Sequence, residues 1–290
     1  MFRGSLVALL TPFDGDRLDE AALRRLVDWH IEEGTHGIVP VGTTGESPTL
    51  THDEHCRVIE IVAEQAAGRV PVIAGAGSNN PVEAIDYSNC AQKVGADATL
   101  HVAGYYNKPS QDGLYAHFKM LHDATELPII VYNIPPRAVV DIQPETMARI
   151  AELPRIAGVK DATGDLARPW AERQLIKKPF AWLSGEDGTA VSYNVAGGQG
   201  CISVTANVAP RLCAQLQELT LAGKWEEARA LQDRLLPLHQ VMFAEPNPAC
   251  PKYGLSLLGL ASENCRIPVV PLQDSTKARI RRVMEELELI

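Results

Sequence analysis

No stretch of this chain approaches the roughly 20 consecutive apolar residues that a membrane-crossing helix needs, so no span is expected. The N-terminal "MFRGSLVALLTPFDGD" holds an apolar stretch of only about seven residues, with Pro12 and Asp14 close behind and no small-residue cleavage site. It reads as a first strand. Positive charge is also scarce. The net charge is −9 and no cationic run is longer than a pair such as Arg281-Arg282, which argues against nucleic acid or an anionic membrane as partner. The six cysteines (Cys56, Cys90, Cys201, Cys213, Cys250 and Cys265) are scattered. With no C-x-x-C and no histidine read at metal-ligand spacing, neither a disulfide framework nor a zinc site is indicated. A reducing cytoplasm is the expected compartment.

What the chain has is short apolar runs, eight of them: "SLVALLTPF", "GIVPVGTTGE", "VPVIAGAGSNN", "ATLHVAGYYNKP", "PIIVYNIPPR", "IAGVKDATG", "AWLSGEDG" and "GCISVTANVAP". They lack polar alternation, as strands buried on both faces of a parallel sheet do, and segments of helical periodicity follow them. Asp19, Thr51 and Asn80 stand as N-caps, Thr51 with Glu54 as a capping box, and the corresponding helices run out at Gly34, Gly68 and Gly95. Eight strand–helix units of about 30 residues predict a (β/α)8 barrel over residues 1–223. An open doubly wound sheet is the alternative. It is disfavoured because "AGAGSNN" lacks the third glycine of a dinucleotide turn and polar residues follow nearly every strand. Beyond Gly223 only helical patterns remain, so residues 224–290 are expected to form a C-terminal helical unit packed on the barrel.

In "GVKDATG", Lys160 ends the sixth strand, on the face where such barrels carry chemistry. An arbitrary lysine there would snorkel to solvent. A buried one is a Schiff-base candidate, because burial favours the free amine that can attack a carbonyl. Tyr132 ends the neighbouring fifth strand, within plausible reach as proton donor and acceptor. Thr43 and Thr44, between glycines, form a turn suited to a small carboxylate. Tyr105 and Tyr106 are read as adjacent exposed aromatics at an interface, and Arg137 shares the rim.

From "GSLVALLTPF" through "GTTGE", "YYNKPSQDGLYAHF", "YNIPPR", "GVKDATG", "SGEDG" and "GCISVTANVAP" to "EPNPACPK", essentially the whole chain resembles the dihydrodipicolinate synthases, pyruvate-dependent Schiff-base lyases. The resemblance implies that Lys160 forms an imine with pyruvate, that Tyr132 is the general acid/base, and that Thr43 and Tyr106 complete a proton relay. It implies that Tyr106 serves the neighbouring subunit of a homotetramer. Thr44, Gly185 and Ile202 would line the pyruvate pocket, and Arg137 would take the carboxylate of L-aspartate 4-semialdehyde. No metal or organic cofactor is implied. Ser47, His52, His55, Asn79, Glu83 and Tyr105 match the positions at which lysine-inhibited members bind L-lysine, although as plain residues they read as a helix cap and its surface. One departure is "AGYYN" at Ala103–Asn107, where many members have "TPYYN". A paralogous pyruvate-dependent aldolase acting on another aldehyde is the second reading, and a non-catalytic small-molecule-binding barrel is a third.

Overall fold

The computed structural model describes residues 2–290. Each of the eight apolar runs contributes one strand: β1 (Gly4–Ala8), β2 (Gly37–Val39), β3 (Ile73–Gly75), β4 (Ala98–Val102), β5 (Ile129–Asn133), β6 (Ile156–Asp161), β7 (Ala181–Ser184) and β8 (Gly200–Ser203). Hydrogen bonding runs β2-β1-β8-β7-β6-β5-β4-β3, every neighbour parallel. An isolated parallel bridge, Ile38 to Val72, joins the two remaining edges and closes the barrel.

Alternation along the strands sorts the apolar side chains into two layers. Leu6, Ala8, Val39, Ile73, Leu100, Ile130, Leu183 and Ile202 fill the interior, with Tyr132 among them. Their neighbours in sequence, such as Val7, Ile38, Val131, Val159 and Trp182, face outward against the helices. Full burial of such side chains contributes about 1.5–3 kcal/mol each, enough to fix the register, since a one-residue slip would exchange the layers.

Around the strands lie α1 (Glu20–Glu32), α2 (His52–Ala66), α3 (Pro81–Lys93), α4 (Gln111–Ala124), α5 (Pro135–Ala138), α6 (Pro144–Ala151), α7 (Arg168–Leu175), α8 (Ala190–Val195) and α9 (Pro210–Leu221). The expected caps are in place. Asp19, Thr51 and Asn80 accept from the backbone of the first turns, and Thr51 with Glu54 completes both bonds of the capping box. Gly34, Gly68 and Gly95 adopt positive φ just past the helix ends, the conformation that stops a helix with least strain. The remaining helices are α10 (Trp225–Val241), α11 (Ala249–Leu257) and α12 (Asp274–Glu286). A small antiparallel hairpin, Phe13–Asp14 with Arg17–Leu18, follows β1 in addition to the eight expected strands.

The cysteine reading needs correction. Cys56 on α2 and Cys90 on α3 are joined by a disulfide, with Cα atoms 5.7 Å apart. His52 lies one turn before Cys56, with Nε2 4.0 Å from Cys56 Sγ. The partners are 34 residues apart in sequence, so only the side-by-side packing of α2 and α3 brings them together. The other four cysteines are free. Among the described residues no helix is long and apolar enough to cross a membrane.

Candidate active site

Lys160 is 6% exposed and sits on the inward-facing parity of β6, in register with Tyr132 on β5 and Leu183 on β7. Its Nζ lies 4.1 Å from the centre of the Tyr132 ring, a distance at which an aromatic face attracts a cation. The adjacency expected between fifth and sixth strands is therefore direct contact. Gly185, just past β7, leaves room for this side chain. A Cβ added there would lie 3.1 Å from Lys160 Cε and 2.8 Å from Ala162 Cβ. Its N–H donates to the Asp161 carbonyl at 2.6 Å, which ties the loop to β6. Ile202 is buried at the centre of β8, paired with Leu6.

After β2 come two 3-10 turns, Thr43–Gly45 and Ser47–Thr49, the first with Thr44 buried and Thr43 half-buried. This segment is held from the far end of the chain. Asn247 Nδ2 donates to Thr44 Oγ1 at 3.0 Å. Glu46, in left-handed conformation at φ 57°, forms a buried ion pair with Lys252 at 2.5 Å and accepts from the Arg266 N–H at 2.8 Å. Lys252 also lies 4.1 Å from the Phe13 ring centre and donates to Asn264 O. Burial pulls the Lys252 ammonium below its ordinary value while Glu46 raises it again. None of these clamps was anticipated from sequence.

Tyr106 and Tyr105 differ, contrary to the reading of two exposed aromatics. Tyr105 is half-buried, whereas Tyr106 is 89% exposed at φ 67°. The Asn107 N–H donates to Tyr105 O at 2.8 Å, so Tyr106 is the centre of a strained γ-turn that pushes its phenol into solvent. Arg137, near the end of α5 above β5, is also exposed.

The residues matched to an effector site differ in burial. Ser47 and Asn79 are half-buried, His52 and Glu83 exposed. Asn79 O accepts from Asn107 Nδ2, and Glu83 accepts from Ser78 Oγ at 2.5 Å. His55 is buried; its Nε2 lies 2.8 Å from Gly75 O and Tyr87 stacks on its ring at 3.8 Å. Burial lowers its pKa to about 4, so His55 is a neutral ring stacked on Tyr87. Burial raises the Tyr87 phenol, with Glu83 and Tyr105 adding to the effect. Tyr87, stacked on both His52 and His55, is a residue that the sequence did not single out.

Two acids, one beside Lys160 and one behind β6, were also missed. Burial pushes the Glu186 carboxyl up, the Gly188 N–H lowers it, Asp187 raises it and Lys160 pulls it back down. Behind β6, Glu172 on α7 is buried, and burial followed by the Asp161 charge pushes it up to about 8, against the Arg168 guanidinium. A carboxyl that ionises at higher pH when folded stabilises the folded state below its ordinary value of 4.5, and that contribution is lost as pH rises toward 8. We therefore expect Glu172→Gln to gain on the wild type between pH 5 and 8 by on the order of a few kcal/mol. Urea unfolding of both proteins at the two pH values measures the difference; a gap independent of pH would show that Glu172 is ionised throughout.

The sequence profile of the dihydrodipicolinate synthetase family matches residues 1–287. A 4-hydroxy-tetrahydrodipicolinate synthase from Parvibaculum lavamentivorans is 57% identical over 290 residues, covering all of both chains. Among solved structures, the chloride-inhibited dihydrodipicolinate synthase from Acinetobacter baumannii, complexed with pyruvate, superposes with a TM-score of 0.98 at 42% identity over the whole of both chains. The enzyme from Cyanidioschyzon merolae with lysine bound gives 0.96 at 34% identity, covering 100% of this chain and 99% of that one.

Proposed function

The chain belongs to the dihydrodipicolinate synthetase family, and from that premise we propose that it is a lyase condensing pyruvate with L-aspartate 4-semialdehyde to 4-hydroxy-tetrahydrodipicolinate, a step toward diaminopimelate and lysine. The observation that carries this reading is Lys160, buried at the end of β6 against the Tyr132 ring with only a glycine at its other flank. Its free amine attacks the pyruvate ketone, forming a C–N bond; water leaves with the carbonyl oxygen, and the protonated imine acidifies the methyl group. Loss of a methyl proton gives an enamine, whose carbon attacks the aldehyde. The amine of the second substrate then closes on the imine carbon, breaking its bond to Lys160 and freeing the lysine.

Tyr132 shuttles the protons, with Thr43 and Tyr106 as the rest of the relay. Thr44, Gly185 and the main chain of Ile202 hold pyruvate. The exposure and strain of Tyr106 support its service to a neighbouring subunit, in a homotetramer built as a dimer of dimers. The 3-10 turn and its clamps support a division at residue 223/224, with the C-terminal helices bracing the turn. The lysine-bound relative supports the further reading that Ser47, His52, Asn79, Glu83 and Tyr105 contact free L-lysine, with His55 behind them. Rate measurements with both substrates test the function; turnover of pyruvate with a different aldehyde alone would favour the paralogous aldolase, and no turnover the binding barrel.

Arg137 is assigned to the carboxylate of the aldehyde substrate, where a guanidinium fits bidentate geometry. Arg137→Ala is expected to raise KM for aspartate semialdehyde by roughly tenfold or more, from the loss of one charge-assisted contact, and to leave KM for pyruvate within about twofold. Steady-state kinetics with each substrate varied in turn distinguish this from a general loss, which would remove Arg137 from the aldehyde site.

A further inference from the structure

We propose that Cys56 and Cys90 form a thiol–disulfide exchange site whose redox state sets the affinity of the neighbouring effector residues on α2 and α3 for lysine; the coupling rests on the effector reading given above. The two Cα atoms are 5.7 Å apart, within the span a disulfide bridges, and both residues are half-buried. They border a surface depression lined also by His52, Arg57 and Lys93, so a small thiol can reach them. The other cysteines are poor competitors. Cys201, Cys213 and Cys250 are buried, and burial raises all three thiols and takes Cys265 to about 12, which leaves little reactive thiolate.

The environment also distinguishes the two sulfurs. His52 Nε2 lies 4.0 Å from Cys56 Sγ, one turn away on α2, where a ring N–H can donate to the departing sulfur. A small thiolate therefore attacks Cys90 Sγ and expels Cys56 as thiolate. A second thiolate attacks the sulfur of the resulting mixed disulfide that came from the reagent, releasing Cys90 and the oxidised reagent. Two electrons pass from two small thiols to the protein disulfide; glutathione disulfide reverses the sequence.

The bridge adjoins the stacked His55–Tyr87 pair. Cys56 follows His55 directly, and Cys90 follows by three residues the Tyr87 that stacks on His55. Glu83 lies one turn further back on α3. Closing the bridge fixes α2 against α3 and so removes freedom that an effector would otherwise have to order. The oxidised protein is the tighter lysine binder, and by reciprocity bound lysine disfavours reduction by the same factor.

The full-length wild type and a Cys56→Ser/Cys90→Ser variant, each treated with glutathione disulfide or dithiothreitol and kept in EDTA, provide the test. Thiol titration after unfolding should find four thiols in the oxidised wild type and six in the reduced protein. Calorimetry with L-lysine should show the oxidised wild type binding at least about fivefold tighter, with the variant indifferent to treatment and the rate without lysine unchanged. Six thiols after oxidation would overturn the exchange site. Four thiols with equal lysine affinity in both states would overturn the coupling. A change from six to four with no lysine binding in either state would overturn the effector reading and the coupling with it, while leaving the exchange chemistry standing.

Discussion

Lys160→Arg is expected to fold normally and to lose imine formation with pyruvate by roughly a thousandfold or more, because a guanidinium remains protonated at every working pH and offers no free pair to a ketone. Folding survives because the Tyr132 ring, with its centre 4.1 Å from Lys160 Nζ, offers a face on which a guanidinium stacks. Space adds to the chemical loss. The lysine side chain is flanked at Cε by Gly185, and the wider guanidinium has to spread into volume that pyruvate would fill. Circular dichroism and pyruvate-dependent kinetics on the same sample separate the two consequences. Native-like activity in a folded variant would remove Lys160 from the chemistry.

Lys252→Met carries the largest expected cost in stability. Lys252 and Glu46 are both buried and 2.5 Å apart, and removing one member of such a pair leaves an uncompensated charge, at about 3–5 kcal/mol. Methionine nearly fills the volume of the lysine stem, so the loss is electrostatic rather than a cavity. The same pair anchors the end of the Thr43–Gly45 turn, so KM for pyruvate should rise along with the loss of stability. Adding Glu46→Gln to Lys252→Met removes the stranded carboxylate, and the double variant should recover most of the stability, a coupling that a double-mutant cycle reads directly. Equal unfolding midpoints for the wild type and Lys252→Met at matched concentration would show that the pair is solvated and that the clamp contributes little.

The parts of this site that were legible in the sequence are those whose signal is local. Lys160 announces itself because four apolar residues precede it in "IAGVKD" and a turn follows, which can only be a strand end; Tyr132 is legible for the same reason one strand earlier. Asp19, Thr51 and Asn80 were readable as caps because a cap is decided within four residues. Pairings across the chain were not readable. Lys252 looks like an ordinary basic residue in "PACPKYG", and nothing near it in sequence tells of Glu46, more than 200 residues away. Cys56 and Cys90 each look solitary on their own helices. Glu172 sits in "PWAERQL", indistinguishable from a solvated helix face until α7 packs behind β6 and takes its carboxyl out of water. Tyr105 and Tyr106 are adjacent and alike in sequence, and only the γ-turn, set by the loop around them, sends one inward and the other out.

Trapping with borohydride tests the central claim most directly. The wild-type protein is incubated with pyruvate, reduced, digested and mapped by mass spectrometry. The account predicts one reduced pyruvyl adduct per chain, on the peptide containing Lys160, and none in Lys160→Arg. An adduct on another lysine, or an unmodified chain under conditions in which the enzyme turns over, would contradict it.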